Sequence, residues 1–68
     1  MLTADTITDE QIRKLRSDSI VGCYAHSWKH ETQAVVDACD TALYSSAPSS
    51  AASARARCAE FLNARNGR

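Results

Sequence analysis

Proline occurs once in this chain and glycine twice, and aromatic side chains make up only 6% of its 68 residues. So few backbone breaks leave little room for a loop-rich fold. The chain also lacks any run of about 18 apolar residues, the length that a membrane-spanning helix requires. Large apolar side chains are scarce, because 12 of the residues counted as hydrophobic are alanine. A core built from the remainder is small, and a chain of this length buries only about 60% of the surface its unfolded form exposes. One domain, without space for a cofactor-binding unit, is the expected organisation, with no cofactor and no catalytic site.

Excess charge is missing as well. Eight Lys and Arg balance eight Asp and Glu, which argues against both a dedicated nucleic-acid binder and an acidic mimic of DNA. The balance is uneven along the chain. Residues 1–44 carry seven acids and four bases, residues 45–68 one acid and four arginines. Opposite charge on the two parts favours their docking, modestly at physiological salt. Cys23, Cys39 and Cys58 are odd in number, and Asp5, Asp9 and Glu10 stand where a secretory signal would carry basic and then apolar residues. A reduced, cytoplasmic protein without a lipid anchor is the expectation.

What is present favours helix, starting with the alanines. Thr8-Asp9-Glu10-Gln11 fits a capping box, with Thr8 as N-cap and Gln11 reaching back. Ile7 and Ile12 are placed to form the hydrophobic staple around it. Asp9 with Arg13 and Glu10 with Lys14 are acid-before-base pairs at i,i+4. Ile12, Leu15, Ser19 and Cys23 line one face of this first helix. In the second, Val35, Val36, Cys39, Ala42 and Leu43 form an apolar stripe. Pro48 suits the first turn of a third helix, whose apolar face is Ala51, Ala54, Cys58, Phe61 and Leu62. The pattern predicts an all-α, compact three-helix bundle with helices near 8–24, 29–45 and 49–65. Short connections make neighbouring helices antiparallel. Ile12, Leu15, Val35, Val36, Cys39, Leu43, Cys58, Phe61 and Leu62 are expected to close the core.

The runs Ile7 to Arg16, Cys39 to Leu43 and Ala54 to Ala59 resemble a group of small helical proteins of unassigned function encoded by bacteriophages, prophages and plasmids. The resemblance implies a three-helix fold and a phage-like origin, and carries over no active-site residue. Members of that group join their first two helices by a short Gly-Asp turn. Here Gly22 leads instead into Cys23-Tyr24-Ala25-His26-Ser27-Trp28-Lys29-His30.

That stretch holds the sharpest chemical patterns. Cys23, His26, His30 and Cys39 are four good zinc ligands, but paired cysteines at short separation are missing, so no metal is expected. Cys39 and Cys58 fall on facing apolar stripes, where cysteine behaves as a small hydrophobe; a disulfide between them is the sharper alternative. Arg55, Arg57, Arg65 and Arg68 make the case for nucleic acid, yet they scatter around the third helix instead of forming a recognition face. Tyr24 and Trp28, flanked by His26 and His30, are the candidate partner-binding residues, because Tyr and Trp are enriched at binding hot spots.

The function expected is therefore a non-catalytic, mobile-element-type interaction protein that binds and inhibits a bacterial host protein or complex. A CRISPR effector is one example, by analogy of size and source alone. A small DNA-binding regulator and a structural homodimer are the alternatives. Trp28→Ala is expected to leave the domain folded while weakening target binding or self-association about thirtyfold, the equivalent of about 2 kcal/mol, with Tyr24→Ala acting less strongly. Unfolding of Trp28→Ala, followed by circular dichroism, would place Trp28 in the core instead.

Overall fold

The computed structural model describes residues 1–24 and 30–66, apart from the side chains of 22–24, 30, 31 and 66. It is an all-α, three-helix bundle: α1 is Asp9–Tyr24, α2 is His30–Tyr44 and α3 is Pro48–Asn66. Each boundary lies within two residues of the position that the sequence pattern predicts. Helix α1 continues through Gly22 to Tyr24. Among the described residues no helix is long and apolar enough to cross a membrane.

The start of α1 forms as its sequence demands. The Thr8 amide donates to Gln11 Oε1 at 2.8 Å, and the Gln11 amide donates to Thr8 Oγ1 at 3.1 Å. Two amides without intrahelical acceptors are thereby satisfied. Ile7 and Ile12 on either side of this box are both buried. The α2–α3 turn has its own lock, since the Ala47 amide donates to Ser45 Oγ at 3.2 Å. Pro48 then takes the first helical position, where its missing N–H costs nothing.

Cross-helix pairs fix the topology. Asp9 meets Arg55 at 2.7 Å and Asp18 meets Arg65 at 3.7 Å, so α1 and α3 run in the same direction. Helix α2 returns between them, antiparallel to both, with Arg16 of α1 on its Asp40 at 2.7 Å. All three ion pairs among the described residues are interhelical. Neither intrahelical pair expected in α1, Asp9–Arg13 or Glu10–Lys14, forms among the described residues, and Asp9 turns to Arg55 instead.

The core differs in one respect from the stripe reading. Ile12, Leu15, Val36, Cys39 and Cys58 are buried as expected, but Val35, Leu43, Phe61 and Leu62 are only partly buried against the cluster. Ala38, Ala42, Ala54 and Ala59 are buried in their place. The reason is close approach. Alanine on the facing sides of α2 and α3 lets the backbones pack tightly, and these two helices share the most extensive contact in the bundle. A seam so narrow moves larger side chains to its borders.

Residues 1–8 form a strap across α1 and α3 that no periodic pattern announces. The Leu2 amide donates to Asn63 Oδ1 at 2.9 Å, and Asn63 Nδ2 donates to the Leu2 carbonyl at 2.8 Å. A turn closes inside the strap, where the Ile7 amide donates to the Thr3 carbonyl at 3.0 Å and the Thr3 amide to Thr6 Oγ1 at 2.8 Å. Arg55 then gathers its near end. The guanidinium donates to the Ala4 carbonyl at 3.4 Å, to the Ile7 carbonyl and to Asp9 Oδ1 at 2.7 Å. This side chain is 25% exposed.

Two predictions follow from the clamp. Arg55→Met should destabilise the domain by about 2–3 kcal/mol in urea denaturation, since charge-assisted hydrogen bonds to carbonyls are lost together. Arg55→Lys should recover less than half, because one ammonium cannot match the planar fork; full recovery would show that charge alone matters. The second concerns acid. The Arg55 hydrogen bond, helped by the charges of Arg55 and Arg13 and opposed by partial desolvation, holds the Asp9 carboxyl below its usual range. A carboxyl with a depressed folded pKa contributes stability that is present above its unfolded pKa and lost as pH falls through the folded value. The urea midpoint of the protein should thus fall more between about pH 5 and pH 3 than that of Asp9→Asn. Parallel profiles would remove this pair from the acid response.

Candidate functional site

The four residues that sequence singles out for partner binding, Tyr24, His26, Trp28 and His30, lie outside the described residues or have side chains that do. The same holds for Cys23, and so for three of the four candidate zinc ligands. Cys39, the fourth, is fully buried with its Sγ 3.8 Å from Cys58 Sγ, in the middle of the α2–α3 seam. Both are free thiols, as expected of packed cysteines. Among the described residues no three His, Cys, Asp or Glu side chains gather as a metal set.

The arginines of α3 are dispersed to separate tasks. Arg55 clamps the strap and Arg65 faces Asp18. Arg57 is exposed beside a groove of about 550 Å³ between α2 and α3, with Asp37, Thr41, Ser49, Ser50 and Ser53. Asp37 in this groove accepts a hydrogen bond from Gln33 Nε2 at 2.8 Å. One arginine and one aspartate set among hydroxyls give a polar surface of mixed sign. A phosphate backbone requires a row of cations, and this groove offers one.

A smaller groove of about 240 Å³ has a different character. Positions 13, 16, 17, 20 and 21 of α1 run as i, i+3, i+4, i+7 and i+8, so they share a face adjoining the core stripe of Ile12 and Leu15. Leu43 and Tyr44 from the end of α2 meet that face. Ile20 and Leu43 are half-buried and form the floor. Val21 and Tyr44 stand at 63% and 72% exposure. Apart from Met1 they are the large hydrophobic residues left exposed among those described, and both line this one groove. Arg13 and Arg16 edge it, with Arg16 held by Asp40.

Sequence reasoning missed Val21 and Tyr44 for an identifiable reason. Both fall next to the apolar stripes, on positions that a stripe count leaves unassigned. A signal was available: a β-branched valine and a tyrosine off-stripe in a chain with so few large apolar residues have no core to fill.

The chain matches no protein-family model, no curated protein and no solved structure.

Proposed function

We propose that this protein is a non-catalytic protein-binding module, that the Ile20–Val21–Leu43–Tyr44 groove is its contact surface, and that its partner is a bacterial host protein or complex whose action it blocks. The observation that carries the reading is the placement of Val21 and Tyr44. Two large apolar side chains stand exposed in one groove over a half-buried apolar floor, with arginine at the edge. Apolar centre and polar rim are the anatomy of an interaction surface. Tyrosine is among the residues that contribute most at such surfaces, since it buries a large ring and keeps a polar tip.

The bacterial partner is supported by the resemblance to phage, prophage and plasmid proteins, and a defence complex fits a small blocking protein from such a source. The DNA-binding alternative draws little support, because Arg55 and Arg65 are engaged with Asp9 and Asp18. The homodimer alternative would use the same groove and is separated by measurement.

The test compares the protein with Tyr44→Ala and Val21→Ser as baits in bacterial lysate, with sizing of each and mass spectrometry of what is retained. Both variants should keep their urea midpoints, because the side chains are mostly exposed and surface substitutions stay within about 0.5 kcal/mol. A specific protein complex should be captured by the parent and bound about tenfold more weakly by Tyr44→Ala, with Val21→Ser less affected. Equal capture by all three baits would move the contact surface elsewhere on the molecule. Retention of duplex DNA, or a dimer that Tyr44→Ala dissociates, would replace the reading with one of the alternatives.

A further inference from the structure

The buried thiols of Cys39 and Cys58 take no part in the groove, and their arrangement has a chemical consequence of its own. They project from the two most closely packed helices and touch, with Sγ atoms 3.8 Å apart. No third group comes between them. A disulfide requires sulfurs about 2 Å apart, so each would move by roughly 1 Å, a displacement that side-chain rotation supplies without separating the helices.

We propose that Cys39 and Cys58 form an oxidative modification site, at which a hydroperoxide converts the two facing thiols into an intramolecular disulfide tying α2 to α3. The reaction balances with hydrogen peroxide as the oxidant. Cys58 sulfur attacks one peroxide oxygen, the O–O bond breaks, and the departing hydroxide takes the thiol proton and leaves as water. Cys58 is then a sulfenic acid. Cys39 sulfur attacks Cys58 Sγ, the S–O bond breaks, and the hydroxyl leaves as a second water with the Cys39 proton. Two thiols lose two electrons together, and one peroxide accepts them.

Arg55 and Arg57 stand three positions and one position before Cys58 on α3, and their positive charge favours its thiolate. Cys58 is therefore written as the attacking sulfur and Cys39 as the resolving one; the two steps balance equally with the roles exchanged. Hydrogen peroxide is close to water in size and reaches the pair through local openings of the helices. Cysteines with no resolving partner proceed to irreversible acids; a partner already in contact diverts the sulfenic acid to a reversible bond.

The positions are 19 residues apart, and closing a loop of that length should lower the unfolding equilibrium constant on the order of a hundredfold. The experiment uses the full reduced chain, exposed to hydrogen peroxide, blocked with an alkylating agent and digested with trypsin without reduction. Cleavage after Arg16, Lys29, Arg55, Arg57 and Arg65 puts Cys23, Cys39 and Cys58 on separate peptides, 17–29, 30–55 and 58–65. Peptides 30–55 and 58–65 should appear linked, from a monomer lighter by two hydrogens. Its Tm should be higher by about 10 °C or more, and dithiothreitol should reverse both changes. Unreacted thiols, links through Cys23, links between chains, sulfinic or sulfonic acids on unlinked peptides, or a link without a rise in Tm would each overturn the proposal.

Discussion

Arg55 is the point on which the arrangement of this small bundle turns. Its guanidinium holds two carbonyls of the strap and the Asp9 carboxylate that opens α1. These acceptors lie on segments about fifty residues before it in the chain, so one side chain ties the start of the fold to its last helix. The strap could not otherwise lie where it does. Burying Ile7 places its neighbouring backbone carbonyls near the protein surface, and a partly buried carbonyl without a donor costs free energy comparable to a lost hydrogen bond. Asn63 does the same for Leu2 with a reciprocal pair. Polar side chains of α3 thus allow two more apolar residues to join a core that has few.

The charge distribution along the chain has the same origin. The acids of the first part meet the arginines of the last in Asp9–Arg55 and Asp18–Arg65. Exposed pairs of this kind add little to stability individually. Their use here is directional, since they match α1 to α3 in parallel and leave α2 to return between them. The alanine seam then sets the distance between α2 and α3. Cys39 and Cys58 are the largest fully buried side chains of α2 and α3 and end in contact, while Phe61 and Leu62 pack only partly buried against the core.

How much of this was legible depended on whether the signal was local. The capping box at Thr8 and Gln11 is a four-residue pattern, and it forms atom for atom as the sequence states. Helix positions followed from periodicity in α1 and α2 and from Pro48 in α3. The strap was not legible, because Leu2 finds its partner 61 residues away and Ile7 was visible only as a staple. Nor could Arg55 be told from Arg57 by type or spacing. One anchors three oxygens and the other faces solvent, and only the approach of residues 4–9 distinguishes them. For the candidate site the same limit applies. Tyr44 follows the last stripe residue of α2, so its exposure depends on where α1 passes, which is a fact of packing and not of sequence.

A chain with so few large apolar side chains leaves two of them, Val21 and Tyr44, uncovered in one groove. Exposure of single apolar residues is ordinary, but two that line one groove with an apolar floor carry a thermodynamic consequence. A partner that covers them binds the folded state and not the unfolded one, and so stabilises the fold by RT ln(1 + [L]/Kd), about 2.7 kcal/mol at a hundredfold excess over Kd. For a domain of this length that increment is a substantial share of the whole stability. The seam, the strap and the Arg55 clamp use neither Val21 nor Tyr44. These two exposed positions can therefore vary to fit a partner while the Arg16–Asp40 pair and the packing of Leu43, which also line the groove, stay in place to hold α1 and α2 together.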